Sequence, residues 1–259
     1  LGFPLLDTPC PAEDTEVLLR GSGEGKAGTG SMRDTGKPSV ARMVARPIRK
    51  LWRRVTGADP WDETGKPQFD YLVEKGLKPN HYLLDVGCGA LRGGIHFIKY
   101  LEPGHYVGVD KNRKELDRGR NVKLRRYGLV DRKPILVEME DFDFSSLNQQ
   151  FDFALAQSVF THIPLNGIIR CVMNIDKVLV PGGRFYATFY ENPQGRSNLR
   201  PIVRAKAGRP DLLTYFDRDP YHYDFETFER ICQGTTLKVR YLGSWNHPRD
   251  QKMMVFVKS

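Results

Sequence analysis

The sequence predicts an α/β protein with a doubly wound, mostly parallel sheet and helices on both faces. Three observations carry that prediction. Short apolar runs alternate with amphipathic segments from about residue 65 to 190, a glycine turn follows the first of these runs, and the last two runs are joined by a short polar loop. Alternation of this kind calls for crossover helices, which parallel strands need and hairpins do not.

Taken in order, residues 69–76 read as a helix stopped by glycine. Residues 82–86 read as the first strand, with Leu83, Leu84 and Val86 as its apolar positions, and the chain then turns through Gly87 and Gly89. Glycine at such a turn lets the backbone approach a ligand more closely than any side chain permits. A helix beginning near Leu91 is expected to 101, a strand over 105–110, a helix over 112–127, and strands over 135–139 and 151–156. The helix at 165–179 and the strand at 183–189 complete the alternating series. Residues 225–232 form a further expected helix, and 236–245 with 253–257 an expected terminal hairpin.

The chemistry begins at the first turn. Asp85 precedes it, and Asp110 closes the second strand roughly 20 residues further on, the place of an acid that accepts the ribose hydroxyls of a nucleotide-like cofactor. The nicotinamide fingerprint G-x-G-x-x-G would place a third glycine where Arg92 stands, which weakens a dinucleotide reading. Ligands of open α/β sheets bind beyond the carboxyl ends of the strands, so Gly87, Asp110, Asp141 and Gln157 are expected to gather at one rim.

In sum these residues resemble class I S-adenosylmethionine-dependent methyltransferases. Asp85-Val-Gly-Cys-Gly89 is similar to the family's first motif, Glu140-Asp141-Phe142 to its adenine-flanking position, Phe151 to His162 to its fourth motif, and Val178 to Phe189 to the Pro-Gly-Gly turn and fifth strand. The resemblance covers residues 65–190 strongly. It implies a Rossmann-like, seven-stranded sheet whose antiparallel C-terminal strand inserts between the fifth and sixth, and S-adenosylmethionine as cofactor. It also implies that Gly87 and Gly89 accommodate the methionine part and that Asp110 holds the ribose, with Cys88 and Lys111 beside them as cofactor-binding residues. Asp141 and Phe142 would bracket the adenine, Gln157 would stand at the active-site edge, and Asp85 would support the turn or meet the amino group through water. Arg92 is either a partner of the cofactor carboxylate or a solvated helix-surface arginine.

Composition sets the remaining bounds. At 259 residues with 40% hydrophobic content, the chain suits one such domain with appendages, and no window nears the roughly 18 apolar residues that cross a bilayer. Cys10, Cys88, Cys171 and Cys232 show no C-x-x-C spacing, which suits a reducing, cytoplasmic compartment, and the scattered histidines predict no metal. Residues 1–38 are rich in Gly, Ser, Thr, Asp and Pro and are expected to be disordered or vector-derived, with Gly30-Ser-Met32 a cloning junction ahead of a native start.

Residues 39–64 hold a basic amphipathic helix and linker. Between 40 and 55 stand six cations and no acid, and without them the net charge falls from +9 to +3. Ile48, Leu51, Trp52 and Val55 share one face. Such a helix either docks its apolar stripe on the catalytic domain of residues 65–259 or makes peripheral contact with a membrane surface.

Two histidines are candidate catalytic bases for a hydroxyl acceptor. His162 closes the fourth motif, and His222 lies in Pro220-Tyr-His-Tyr-Asp224 beside Tyr221 and Tyr223. The long stretch from Glu191 to Asp219 is expected to be an acceptor-binding insertion, and Arg196, Arg200, Arg204, Lys206 and Arg209 in it favour an anionic acceptor. The expected function is methyl transfer, at oxygen, to a small-molecule, saccharide or lipid-linked acceptor. Nucleic acid is a minor alternative for lack of an aromatic recognition surface. The competing reading is a noncatalytic module of the same fold that binds a membrane or a partner through its basic helix.

Overall fold

A computed structural model describes residues 64–193, 199–206, 209–247 and 249–259. The expectations for residues 1–38 and for the basic helix at 40–55 lie outside this range.

The first described helix, α1 (Lys66–Glu74), buries Gln68 and Leu72, and the chain leaves it through Gly76 with the Leu77 amide donating to the Leu72 carbonyl. Five strands then run parallel: β1 (Leu83–Val86), β2 (Tyr106–Asp110), β3 (Ile135–Glu138), β4 (Phe151–Ala156) and β5 (Leu179–Glu191). The sheet order is β3-β2-β1-β4-β5-β10-β9, with β9 (Leu237–Ser244) and β10 (Lys252–Lys258) as the terminal hairpin. β10 is antiparallel to both β5 and β9, so the last strand inserts inside the sheet as expected. A two-residue strand, β8 (His222–Tyr223), extends β5 on its far end and brings the main sheet to eight strands.

Strand order reverses between β1 and β4, because β2 and β3 build out on one side of β1 and β4 on the other. Such a switch point opens a crevice at the carboxyl ends of the two strands, where the Gly87 turn and Gln157 lie.

Burial follows strand alternation. Leu84 and Val86 face a core with Val107, Val109, Phe160 and Phe185, against α5 (Leu165–Val178) and α6 (Phe225–Cys232). Leu83 faces a second core with Leu72, Ile95, Phe97 and Tyr106. On α5 the buried positions Ile168, Cys171, Val172, Ile175 and Val178 recur at helical spacing and cover the sheet. Each fully buried Phe or Ile here contributes about 1.5–3 kcal/mol.

Three elements differ from expectation. The helix after the glycine turn, α2 (Gly94–Tyr100), starts three residues later than Leu91, which is buried in a left-handed turn at φ 61°. The expected helix over 112–127 is α3 (Arg113–Arg118), a π-helical turn over Gly119–Lys123 and a last turn α4 (Leu124–Arg126). The insertion after β5 is a separate two-stranded antiparallel sheet, β6 (Ile202–Lys206) and β7 (Arg209–Thr214), whose pairing alternates too weakly in sequence to be seen. The Arg204 guanidinium ties it to the domain through the Glu191 carbonyl and lies 5.3 Å from the Tyr190 ring centre.

Candidate functional site

The turn after β1 is the hub of the site. Gly87 has φ 73°, and a Cβ there would come within 2.5 Å of the Val159 side chain, so neither the backbone nor the space tolerates another residue. Asp110 holds the turn from β2: its Oδ2 accepts from the Gly89 amide at 2.8 Å, and its Oδ1 accepts from Asn112 at 2.8 Å. Asn112 in turn caps α3, accepting from the Lys114 amide at 3.1 Å.

Two cavities flank Gly87. A polar one of about 210 Å³ is lined by Gln68, Asp85, Gly89, Arg92, Lys123 and Gln157 among others. A more apolar one of about 350 Å³ is lined by Asp110, Lys111, Met139, Phe142, Val159 and His162. Cys88 lies in the first, and burial keeps its thiol well above its usual pKa and therefore protonated.

Asp85 is buried in the wall of the polar cavity, and its Oδ2 accepts from the Tyr106 hydroxyl at 2.6 Å. Burial raises its pKa to about 7; Tyr106 opposes the rise, Asp110 adds to it, and Arg92 opposes it as well. A carboxyl that titrates near neutrality in a cleft is poised to ionise when a cation arrives.

The structure gathers most of the expected cofactor residues. Asp85, Gly87, Cys88, Gly89, Arg92 and Gln157 meet in the polar cavity, and Asp110, Lys111 and Phe142 in the apolar one. Asp141 stands apart: it is exposed, accepts from the Asp143 amide at 3.1 Å and lines a shallow neighbouring depression, whereas Glu140 lines the apolar cavity as well. Phe142 takes the left-handed conformation that turns its ring inward at φ 59°.

Several site residues escaped the sequence. Gln68 and Lys123 are buried in the polar cavity, one from the helix before β1 and the other from the π-helical turn. Ser158 has φ 58°, its amide donating to Thr188 Oγ1 at 2.8 Å and its hydroxyl to Gln251 Oε1 at 2.9 Å. Strain of this kind, held by surrounding bonds, concentrates at functional sites.

The two catalytic candidates part company. His162 stands half-exposed at the apolar cavity with Nδ1 2.6 Å from Asp219 Oδ1, a carboxylate 57 positions away that no motif announces. His222 is fully buried on β8, with Nδ1 3.1 Å from Thr214 Oγ1. It lines a third, larger groove beyond α5 and α6.

The cavities fit S-adenosylmethionine on structural grounds. Gln157 leaves a buried side-chain oxygen, Oε1, with no hydrogen-bond partner beside the turn, where a cofactor ammonium could satisfy it. The position of a Gly89 Cβ meets nothing within 4 Å, so the turn leaves open space. Met139, Val159 and Phe142 offer apolar walls for a planar base.

Comparison with known proteins agrees. A family model described as "Methyltransferase domain" matches residues 84–185. Sterol 24-C-methyltransferase of Schizosaccharomyces pombe is 31% identical over 44% of this chain and 29% of its own length. The ubiquinone biosynthesis O-methyltransferase of Hahella chejuensis is 28% identical over 61% of this chain and 63% of its own. The chain thus spans less than two thirds of either relative. Among solved structures, magnesium protoporphyrin IX methyltransferase of Synechocystis shares the fold at TM-score 0.55 and 15% identity, over 84% of this chain and 99% of that one. An S-adenosylmethionine-dependent methyltransferase of Clostridium acetobutylicum matches at TM-score 0.55 and 14% identity, over 83% and 98%. The match over residues 84–185 marks that part of the chain as a methyltransferase domain, and its switch-point turn and inserted antiparallel strand give it the fold of the S-adenosylmethionine-dependent methyltransferases it resembles.

Proposed function

We propose that the protein transfers a methyl group from S-adenosylmethionine to a hydroxyl of a small-molecule or lipid-type acceptor. The observation that carries the choice of oxygen is the His162–Asp219 pair, which sets an imidazole at the rim of the cavity beside Gly87.

When bound, the cofactor supplies an electrophilic methyl on a sulfonium that leaves as a neutral thioether. The protein has two tasks beside that chemistry, namely to hold the reactants in line and to take up one proton. Gly87, Asp110 and Gln157 position the cofactor, and Asp85 ionises toward its ammonium. With Nδ1–H donated to Asp219, the lone pair of His162 resides on Nε2. That nitrogen would take up the proton of the acceptor hydroxyl as the oxygen is methylated.

The names of the two relatives, which point to a sterol and to ubiquinone biosynthesis, support an acceptor of low polarity. The six cations and Trp52 of residues 40–55 favour peripheral contact of this cytoplasmic enzyme with an anionic membrane surface. Cosedimentation with anionic vesicles, lost on deleting residues 1–56, tests that part.

The main test is calorimetric and kinetic. S-adenosylmethionine and S-adenosylhomocysteine should bind and NAD should not; absence of binding by the first two would remove the enzymatic reading in favour of a noncatalytic module. With a panel of phenols and aliphatic alcohols, His162→Ala should cut methyl incorporation by about 100-fold or more while cofactor binding holds. Equal incorporation by the variant would mean the reaction needs no base here.

A further inference from the structure

The groove over α5 and α6 is distinct from the two cavities around Gly87 and measures about 790 Å³. Its walls come from three separate stretches: Leu165 and Ile169 on α5, Leu199 and Phe216 at the two ends of the insertion, and Ile231 on α6. Leu199 is 66% exposed and Phe216 is 49% exposed. A single exposed leucine means little, but apolar side chains converging on one concavity mark a binding surface.

The floor differs in character. Asn192, directly after β5, is 5% exposed, and its Oδ1 has no hydrogen-bond partner. Asp224, at the start of α6, likewise leaves a buried Oδ1 unpartnered. Both residues line the groove. Burying an acceptor without a donor is costly, so two of them under apolar walls fit a ligand that is greasy along its body and donates hydrogen bonds at its head.

The groove is also connected to the proposed chemistry. Pro164 borders both it and the cavity that holds His162. The segment 215–221 supplies Phe216 to the groove and Asp219 to His162, and the Tyr221 amide fastens it to the Thr161 carbonyl at 2.8 Å. A molecule seated in the groove therefore lies against the same segment that orients the base.

We infer that this groove seats the body of the acceptor beside the catalytic cavity and that it takes an amphipathic molecule with an apolar body and O–H groups that donate to Asn192 and Asp224, a separate hydroxyl being the one presented to His162. The inference rests on the methyl-transfer reading for the word acceptor; the binding chemistry stands without it. A saccharide, polar all round, would leave Leu199, Phe216 and Ile231 unmatched.

The probe is 4-hexylresorcinol, compared by calorimetry with resorcinol and with the dimethyl ether of 4-hexylresorcinol, on the full chain. The expected result is that 4-hexylresorcinol binds at least tenfold more tightly than either. Leu199→Ser, at an exposed position with little bearing on folding, should weaken it several-fold. Asn192→Leu should abolish the preference over the dimethyl ether, with S-adenosylhomocysteine affinity unchanged in both variants as proof of fold. Equal affinity for resorcinol and its hexyl derivative, or variants that leave both preferences intact, would overturn the inference. Failure of S-adenosylhomocysteine to bind the wild-type chain would instead strike the methyl-transfer reading, and the two failures are read separately.

Discussion

The cofactor side and the proposed acceptor side of this molecule are built in opposite ways. Around Gly87 the site is assembled from strand ends, each contributing a residue or two at a fixed offset, and tied by short bonds such as Asp110 to Gly89 at 2.8 Å. Beyond α5 the groove is assembled from positions 165, 192, 199, 216, 224 and 231, which share no strand and no spacing. The sheet therefore dictates the first region, while the second is a consequence of how one insertion packs. Substitutions on the cofactor side should act through strain and buried charge, and those on the acceptor side through lost contacts of smaller worth.

The largest effect expected is at Asp85. Its pKa of about 7 in the folded protein lies above the roughly 3.9 of an unfolded chain, so the folded state holds its proton more tightly. The stability associated with that proton is fully present below pH about 4 and is lost as pH rises through about 7. Over roughly three pH units this amounts to as much as about 4 kcal/mol. Asp85→Asn cannot lose a proton, so its stability relative to wild type should grow between pH 4 and 7 and level off above, as read by urea unfolding at each pH. The same titration should make cofactor affinity rise toward pH 7 in wild type, as the carboxylate forms, and stay flat in the variant. A pH-independent stability difference would show that Asp85 is ionised throughout.

Next is Gly87→Ala. A left-handed alanine costs about 1–2 kcal/mol, and its Cβ would also have to displace Val159 from 2.5 Å. S-adenosylhomocysteine affinity should fall about 30- to 100-fold, with 4-hexylresorcinol binding little changed. Equal losses of both ligands would mean that the two regions are one cooperative unit and erase the contrast drawn between them.

That contrast also explains what was legible in the sequence. Strands β1, β2, β4 and β10 are largely buried on both sides, so their apolar runs mark them well, and β1 and β2 are further bounded by Gly87 and Asp110. Asp85, Gly87 and Asp110 could be named because their offsets follow from the sheet. Gln68 and Lys123 could not, since one sits on the outer helix α1 and the other owes its place to a π-helical turn that adds a residue to the helical repeat. Asp141 misled for a related reason: adjacent residues in a turn point apart, and Phe142 takes the inward place. The β6–β7 hairpin lacks a clean polar–apolar alternation, with exposed Val203 paired against exposed Leu213. His222 looked like a base by its neighbours, yet the pairing of β8 with β5 buries it completely.

The smallest effect expected is at Asp219, and it tests the point where the two regions meet. The carboxylate is half-exposed, so its pairing with His162 adds little to stability in water; its value lies in fixing which imidazole nitrogen keeps the proton. Asp219→Asn preserves shape and presents either an oxygen or an amide to Nδ1, which removes the preference. Turnover on a hydroxyl acceptor should drop about tenfold, with KM and S-adenosylhomocysteine affinity held within twofold and the unfolding midpoint unchanged. A structural role would move the midpoint or the KM instead. If neither turnover nor stability responds, the 2.6 Å contact is incidental and the base, if one acts, is oriented by the acceptor itself.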